Sequence, residues 1–389
     1  MSITFGKPAR ALFPLDDGAT YLNHGTVGVA PKAVMRAQAD WRAEIERHPA
    51  RFMFHRLKPL LRQAAERVGE RLGVAGEDLV FVDNATAGIN AVLRSFPFAE
   101  GDEILVNDHT YGAVAHTATY VARTTGAAVK TFSLPFPVED EQQVLDAFKA
   151  ALSPKTRIAV VDHITSHTAL LLPLAEISRI CHAAGVAVLV DGAHAPGQIR
   201  LDIAATGADW YVGNLHKWMF APRGCGVLWA PKQRQDGLHP PVISWGLDNG
   251  FADEFDWVGT RDWAGVLSTE AAFGFIDELG GLQAMHDYMH PLAREAAAVL
   301  AARWQGPLHA PAAMTAAMAL APLPSVRDPN QATADRLRAA LLEQHDIEVP
   351  VIARDDRLWF RLSMQVYNEL DEIDRLAAAT EALLKAEAA

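Results

Sequence analysis

Five short runs of branched apolar residues, each closing on polar ones, constrain this chain most. They are LVFVDN (79–84), EILVND (103–108), RIAVVDH (157–163), VAVLVDGAH (186–194) and DWYVGNLH (209–216). Helical stretches such as EQQVLDAFKAAL (141–152) and LAEISRICHAAG (174–185) lie between them. Strands that alternate with helices pair in parallel, with helices on both faces. The runs are apolar throughout rather than alternating, as strands covered on both sides are. CGVLWA (225–230) reads as a further strand, expected to return antiparallel at an edge. After about Asp256 the pattern changes. A helical reach with apolar spacing near 3.6 runs from Ala264 to Trp304, expected to break at Gly280-Gly281 and at Pro291. Short strands at 318–320, 347–352 and 357–363, with helices at 331–344 and 369–387, then suggest a small α+β unit. The expected division is a large domain over 16–262 and a small one made of 1–15 with 263–389.

Composition narrows the function. The chain has 389 residues, half of them hydrophobic, enough for a sizeable core. Its net charge of −12 argues against the broad basic face that nucleic acid requires. No apolar run is long enough to span a bilayer, and MSITFGKPARALFPLDDG has no signal-like apolar core, so no membrane partner and a cytoplasmic location are expected. Cys181 and Cys225 sit beside apolar residues and read as buried free thiols.

In doubly wound sheets ligands bind beyond the carboxyl ends of the strands, and the polar residues collect there. DNATAGIN (83–90) leaves a strand and opens a helix, so Asn84, Thr86 and Gly88 mark either a phosphate cup or an ordinary helix cap. NDHTYGA (107–113) brings His109 and Tyr111, one of which would stack on a planar ligand unless Tyr111 is only a half-buried loop residue. DHITSHT (162–168) adds Asp162, His163, Thr165, Ser166 and His167. VDGAHAPG (190–197) adds Asp191 and His194; a carboxylate after five apolar residues needs a cationic or hydrogen-bonding partner. In GNLHKWMFAPRG (213–224), Lys217 in its apolar setting is either a stem along the surface with its ammonium in water or a buried amine that loses charge readily and becomes nucleophilic. A phosphate cup, an aromatic face, a buried carboxylate and such a lysine together suit pyridoxal 5′-phosphate.

At this point the chain resembles the class V aminotransferase family of fold-type I pyridoxal phosphate enzymes, and within it isopenicillin N epimerase-like proteins. The likeness rests on LNHGTVG (22–28), NATAGIN, DHTYGA, DGAHAPG, NLHKW, VGTRD (258–262) and RLSMQVYN (361–368), in that order along nearly the whole chain. It implies an α/β fold, with a mixed, mostly parallel seven-stranded sheet and a small α+β C-terminal domain. It implies Lys217 as the Schiff-base lysine, Asp191 on the pyridine nitrogen, and His194 on the phenolic oxygen with Thr165 or Ser166 assisting. Ala85, Thr86, Asn214 and His216 would hold the phosphate. Tyr111 would stack on the ring, with His109 as second choice. Arg361 would bind the substrate α-carboxylate, and Asn23 and His24 would line the substrate side. Thr260, with Arg261, would reach the cofactor phosphate of a neighbouring subunit, which implies a homodimer with shared active sites. His167 stands where the resemblance would put proline. The small domain has no cysteine, which argues against persulfide transfer.

The expected chemistry starts with Lys217 taking the Cα proton of an amino-acid substrate. Epimerisation, loss of a Cβ substituent as in a C–S β-lyase, and transamination all follow from that step. Epimerase-like chemistry is favoured by resemblance. A different class is a metal-dependent hydrolase, with His109, His163, His167, His194 and His216 meeting Asp108, Asp162 and Asp191, although no compact ligand motif such as H-E-x-x-H is present. A non-catalytic cofactor-binding protein is a third.

Overall fold

The computed structural model describes residues 3–388, so residues 1, 2 and 389 of the expected small domain lie outside it. Among the described residues twelve strands form three sheets. A two-stranded pair joins β1 (Thr20–Tyr21) to β10 (Ile347–Glu348) in parallel. The main sheet holds β2 (Leu79–Val82), β3 (Glu103–Asn107), β4 (Ala128–Phe132), β5 (Thr156–Asp162), β6 (Ala187–Gly192), β7 (Trp210–Asn214) and β8 (Gly226–Trp229). The third sheet holds β9 (Met318–Pro322), β11 (Val351–Arg354) and β12 (Arg357–Ser363), paired antiparallel.

The seven-stranded order is β2-β8-β7-β6-β5-β3-β4. Strands β3 to β7 pair in parallel, so their carboxyl ends share one rim. Strand β8 is antiparallel, as expected, but it lies inside the sheet between β7 and β2. The expectation of an edge position is corrected: all of β8 is buried, and β2 takes the edge. The opposite edge, β4 (AVKTF), is half exposed and carries Lys130, so it lacks the continuous apolar run of the central strands.

Apolar cores cover both faces of the sheet. The helices Ala85–Ser95 and Gly112–Thr125 pack on one face through Ile89, Val92, Val114 and Ala118. Leu57–Leu72 and Leu174–Ala183 pack on the other through Leu61, Val68 and Ile177. The reach from Ala264 breaks after Glu278, where Gly280 and Gly281 both take positive φ. Pro291 does not break it; a single helix runs Gly281–Trp304. Its Met285 and Met289 belong to the sheet's core, while Leu292, Ala296 and Leu300 belong to a second core with β9 and β12, so the helix is packed on both sides of Pro291. Leu22 joins that second core and Asn23 bridges Ser363, which ties the N-terminal segment to the small unit. The expected strand 347–352 divides at Pro350, which has no amide to donate.

Candidate active site

A cavity of about 950 Å³ opens between the carboxyl rim of the main sheet and the helix Gln331–His345 with the β10–β11 segment. Lys217, Asp191, His194, Asn84, Ala85, Thr86, Tyr111, Ser166, Asn214, His216, Asn23 and Arg361 all line it.

Lys217 follows β7 in a tightly held loop. Gly28 (φ +69°) lies against it, and a Cβ there would stand 2.0 Å from the His216 carbonyl oxygen. Gly197 (φ +83°) approaches equally closely, with its would-be Cβ 2.4 Å from the Trp218 carbonyl oxygen. Phe220 takes φ 60°, unusual for a bulky residue, and is held there by Phe13 and Phe275, each 5.5 Å away ring to ring. His24 anchors the same loop: its Nε2–H donates to the Lys217 carbonyl oxygen at 3.0 Å, and its Nδ1 accepts from the Tyr367 hydroxyl at 2.8 Å. His24 is wholly buried behind the lysine, so the expectation that it lines the substrate side is corrected.

The Lys217 ammonium has no carboxylate within salt-bridge distance; its Nζ instead donates to His194 Nε2 at 3.1 Å. Burial, reinforced by the Arg361 cation and only partly offset by Asp191, brings the amine down to about 7. His194 is buried and held well below the ordinary histidine range by that burial and by Lys217, so it stays neutral and can accept. Ser166 Oγ stands 3.4 Å from the same nitrogen. Thr165 points the other way: its hydroxyl binds Thr168 at 2.7 Å and accepts from the Leu170 amide at 2.8 Å, away from the cavity. Of the two hydroxyls expected to assist, only Ser166 is in place.

Asp191 lies at the end of β6, buried, with Oδ1 accepting from the Ala193 amide at 3.0 Å. Its other oxygen has no protein donor among the described residues. Burial raises its proton affinity, countered by the Ala193 amide and Lys217. Asp162 sits beside it at the matching position of β5 and is raised further, by burial and by Asp191 itself.

The first turn of the helix Ala85–Ser95 forms the cup. Asn84 caps it, accepting from the Ala87 amide at 3.0 Å, and the Gly88 amide donates to the Asn84 carbonyl oxygen. The Ala85 amide is already used on Asn214 Oδ1 at 2.8 Å. The Thr86 amide keeps no protein partner among the described residues, and the Thr86 side chain lines the cavity. Ala85 and Asn214 therefore hold each other, and the free donors are those of Thr86. His216 donates from Nδ1 to the Cys225 carbonyl oxygen at 3.1 Å, which leaves Nε2 unpaired.

Arg361, in β12, is buried and has no carboxylate partner. Its Nη1 donates to the Ser166 carbonyl oxygen at 2.6 Å, and Nη2 to Thr26 Oγ1 at 2.5 Å and Asn23 Oδ1 at 3.3 Å. Burial lowers it to about 10, still charged at neutral pH. A buried guanidinium without a counter-ion on a cavity wall is a receptor for an anion. Thr26 and Glu348, which positions Asn23 through a 2.9 Å bond, complete this corner. Neither stands out in the sequence, since small hydroxyls and exposed glutamates are common.

Tyr111 lines the cavity, with its ring 6.4 Å from His167 and tilted by 30°. His109 does not; it is buried, bound to Thr168 Oγ1 at 2.7 Å and packed on Phe136, so it is not a stacking partner. Thr260 is exposed and away from this chain's own cavity, and Arg261 pairs with Asp83 at 2.6 Å and lies over Trp263. The histidines do not gather as a metal site would. His163 binds the Tyr211 hydroxyl, His109 binds Thr168, and His216 binds a carbonyl. Among the described residues no cluster of three or more His, Cys, Asp or Glu side chains suits a metal, which removes the hydrolase reading.

The orphaned features fit one group: an amine without a carboxylate partner, a carboxylate with a free oxygen, free donors at a helix start and an aromatic wall. Residues 20–376 match the family described as aminotransferase class-V. The chain belongs to that family. It is a pyridoxal phosphate-dependent enzyme. The isopenicillin N epimerase of Amycolatopsis lactamdurans is 35% identical, over 99% of this chain and 100% of its own length. A probable chloroplastic L-cysteine desulfhydrase of Arabidopsis thaliana is 32% identical, over 94% of this chain and 82% of its own. Among solved structures, the apo cysteine desulfurase of Thermococcus onnurineus NA1 superposes with a TM-score of 0.81 at 20% identity, covering 99% of this chain and 100% of that one. A complex of the cystine C–S lyase C-DES with cysteine persulfide gives 0.78 at 23%, over 94% and 97%. These likenesses confirm the class V fold, and among the described residues no helix is long and apolar enough to cross a membrane.

Proposed function

We propose that this class V enzyme removes and returns the Cα proton of an amino-acid substrate, with epimerisation as the net result. One observation carries the reading: Arg361, a buried cation without a counter-ion, shares a cavity with the Lys217 amine, held down to about 7. An α-carboxylate held by Arg361 places the adjoining Cα within the space the lysine serves. The full-length match to an isopenicillin N epimerase supports epimerisation.

Pyridoxal phosphate, when bound, supplies an electron sink for negative charge at Cα. Thr86 and His216 would hold its phosphate, Asp191 its ring nitrogen, and Tyr111 its face. The protein's own residues do the rest. Arg361 orients the carboxylate by a two-pronged contact that lysine could not copy. Lys217, its amine held down to about 7, takes the proton in its neutral form. His194 steadies the amine from one side, and His24 fixes its backbone from behind.

A C–S β-lyase is the second reading, favoured by the desulfhydrase relatives. Sulfur transfer through a protein persulfide is not, because Cys181 and Cys225 are buried in the large unit and burial pushes both thiols up to about 12. We also propose a homodimer. Trp245 (84% exposed), Ile243, Val242 and Phe54 present apolar surface that a second copy would cover, and Thr260 lies on the outside, able to reach a neighbour. An amino-acid panel in deuterium oxide tests the reaction: inversion with deuterium at Cα supports the epimerase, whereas keto acid with ammonia and a sulfur product supports the lyase.

A further inference from the structure

The histidines around the cavity differ in one respect. His24, His109, His163, His194 and His216 each spend a ring nitrogen on a protein group. His167 spends neither: it lines the cavity, is exposed at its mouth, and makes no hydrogen bond to the protein among the described residues. It stands beside Tyr111, and the backbone just before it is clamped, since the Ser166 carbonyl oxygen accepts from Arg361. Arg361 acts on both His167 and Lys217. A carboxylate on Arg361 therefore has the lysine loop to one side and the Tyr111–His167 wall to another.

We propose that His167 is the second proton-transfer group of the epimerisation, exchanging a proton with Cα on the face away from Lys217. The inference rests on the epimerase reading above. In one direction the Lys217 amine takes the Cα proton and the bonding pair stays with the substrate. The His167 imidazolium then gives a proton to the opposite face and is left neutral. Water at the open mouth removes the proton from Lys217 and returns one to His167, so only the configuration changes. In the other direction the two groups exchange roles. Partial enclosure, with Arg361 and Arg354 nearby, holds the imidazole below the ordinary histidine range, and His109 and His194 face it without adding charge. Its neutral form is the base in the direction where His167 takes the proton, and Lys217, once protonated, is then the acid.

The test uses His167→Asn holoenzyme in deuterium oxide, with His167→Gln as a second variant should Asn impair folding. Visible absorption should show cofactor bound as in the wild type. Inversion should fall by about 10²-fold or more, while deuterium exchange with retention at the Lys217 face persists. Inversion within tenfold of wild type overturns the role. A wild type that only eliminates and never inverts overturns the epimerase reading and this role with it. A readout independent of turnover comes from the apoprotein labelled at histidine. The ring resonance lost in His167→Asn should titrate below the usual histidine range and move up in Arg361→Ala. An unmoved titration separates His167 from the carboxylate corner and overturns the proposal.

Discussion

Removing the Arg361 guanidinium is the perturbation with the most legible outcome. Arg361→Ala takes away the anion receptor, the buried guanidinium that meets the substrate carboxylate. Breaking one side of a buried, hydrogen-bonded charge pair costs about 3–5 kcal/mol. At roughly 1.4 kcal/mol per tenfold, kcat/KM should fall by about 10²- to 10⁴-fold. The loss should appear mainly in KM, because Arg361 meets the substrate carboxylate and touches the cofactor-side residues only through the Ser166 carbonyl oxygen. Stability should move little. Burial lowers the folded-state proton affinity of Arg361, so its charge is a cost to the fold at every pH below about 10. Relief of that cost opposes the loss of its bonds to Ser166, Thr26 and Asn23. The assay compares an amino acid with the matching amine that lacks a carboxylate, both followed by deuterium exchange at Cα. The variant should lose its advantage for the amino acid and treat the amine as the wild type does. Equal losses on both compounds, or an unchanged KM for the amino acid, would refute the assignment.

Other predictions bear on the lysine and its loop. The Lys217 amine must be unprotonated to act as base, so the rate of Cα exchange should rise with pH through about 7 and then level. Arg361→Ala should move that limb to higher pH by removing a neighbouring cation. In the apoprotein the same depressed value gives a stability trend: the unfolded lysine binds more protons between about 7 and its ordinary 10.5, so this group's contribution to stability increases with pH across that window. Gly28→Ala should destabilise by roughly 2 kcal/mol or more, through positive φ and a collision with the His216 carbonyl, and should weaken cofactor retention. Thermal unfolding and cofactor titration check it; an unchanged melting temperature would show that the loop yields.

Much of the fold was legible because continuous apolar runs mark buried parallel strands. The half-exposed β4 lacked that mark, and whether β8 lay at an edge or inside depended on where β2 returned, which no local pattern records. At the site, the element carrying each group was readable but the face often was not. Neighbouring residues at a strand end point to different sides, so Ser166 faces the cavity while Thr165 ties the turn, and Asn23 faces it while His24 supports the lysine loop. His109 was misread for the same reason. The Ala85 amide looked available because sequence shows a helix start but not that Asn214 comes from another strand to occupy it. Asp162 read only as a metal ligand, since its pairing with Asp191 is a matter of register across two strands.

The central claim is that the amine of Lys217 is the one that engages the cofactor aldehyde. Borohydride reduction of the yellow holoenzyme, followed by digestion and mass spectrometry, tests it directly. The account predicts a single pyridoxyl-phosphate adduct on the peptide containing Lys217, absent in Lys217→Ala. An adduct on another lysine, or a holoenzyme whose colour reduction does not fix to the chain, would contradict it.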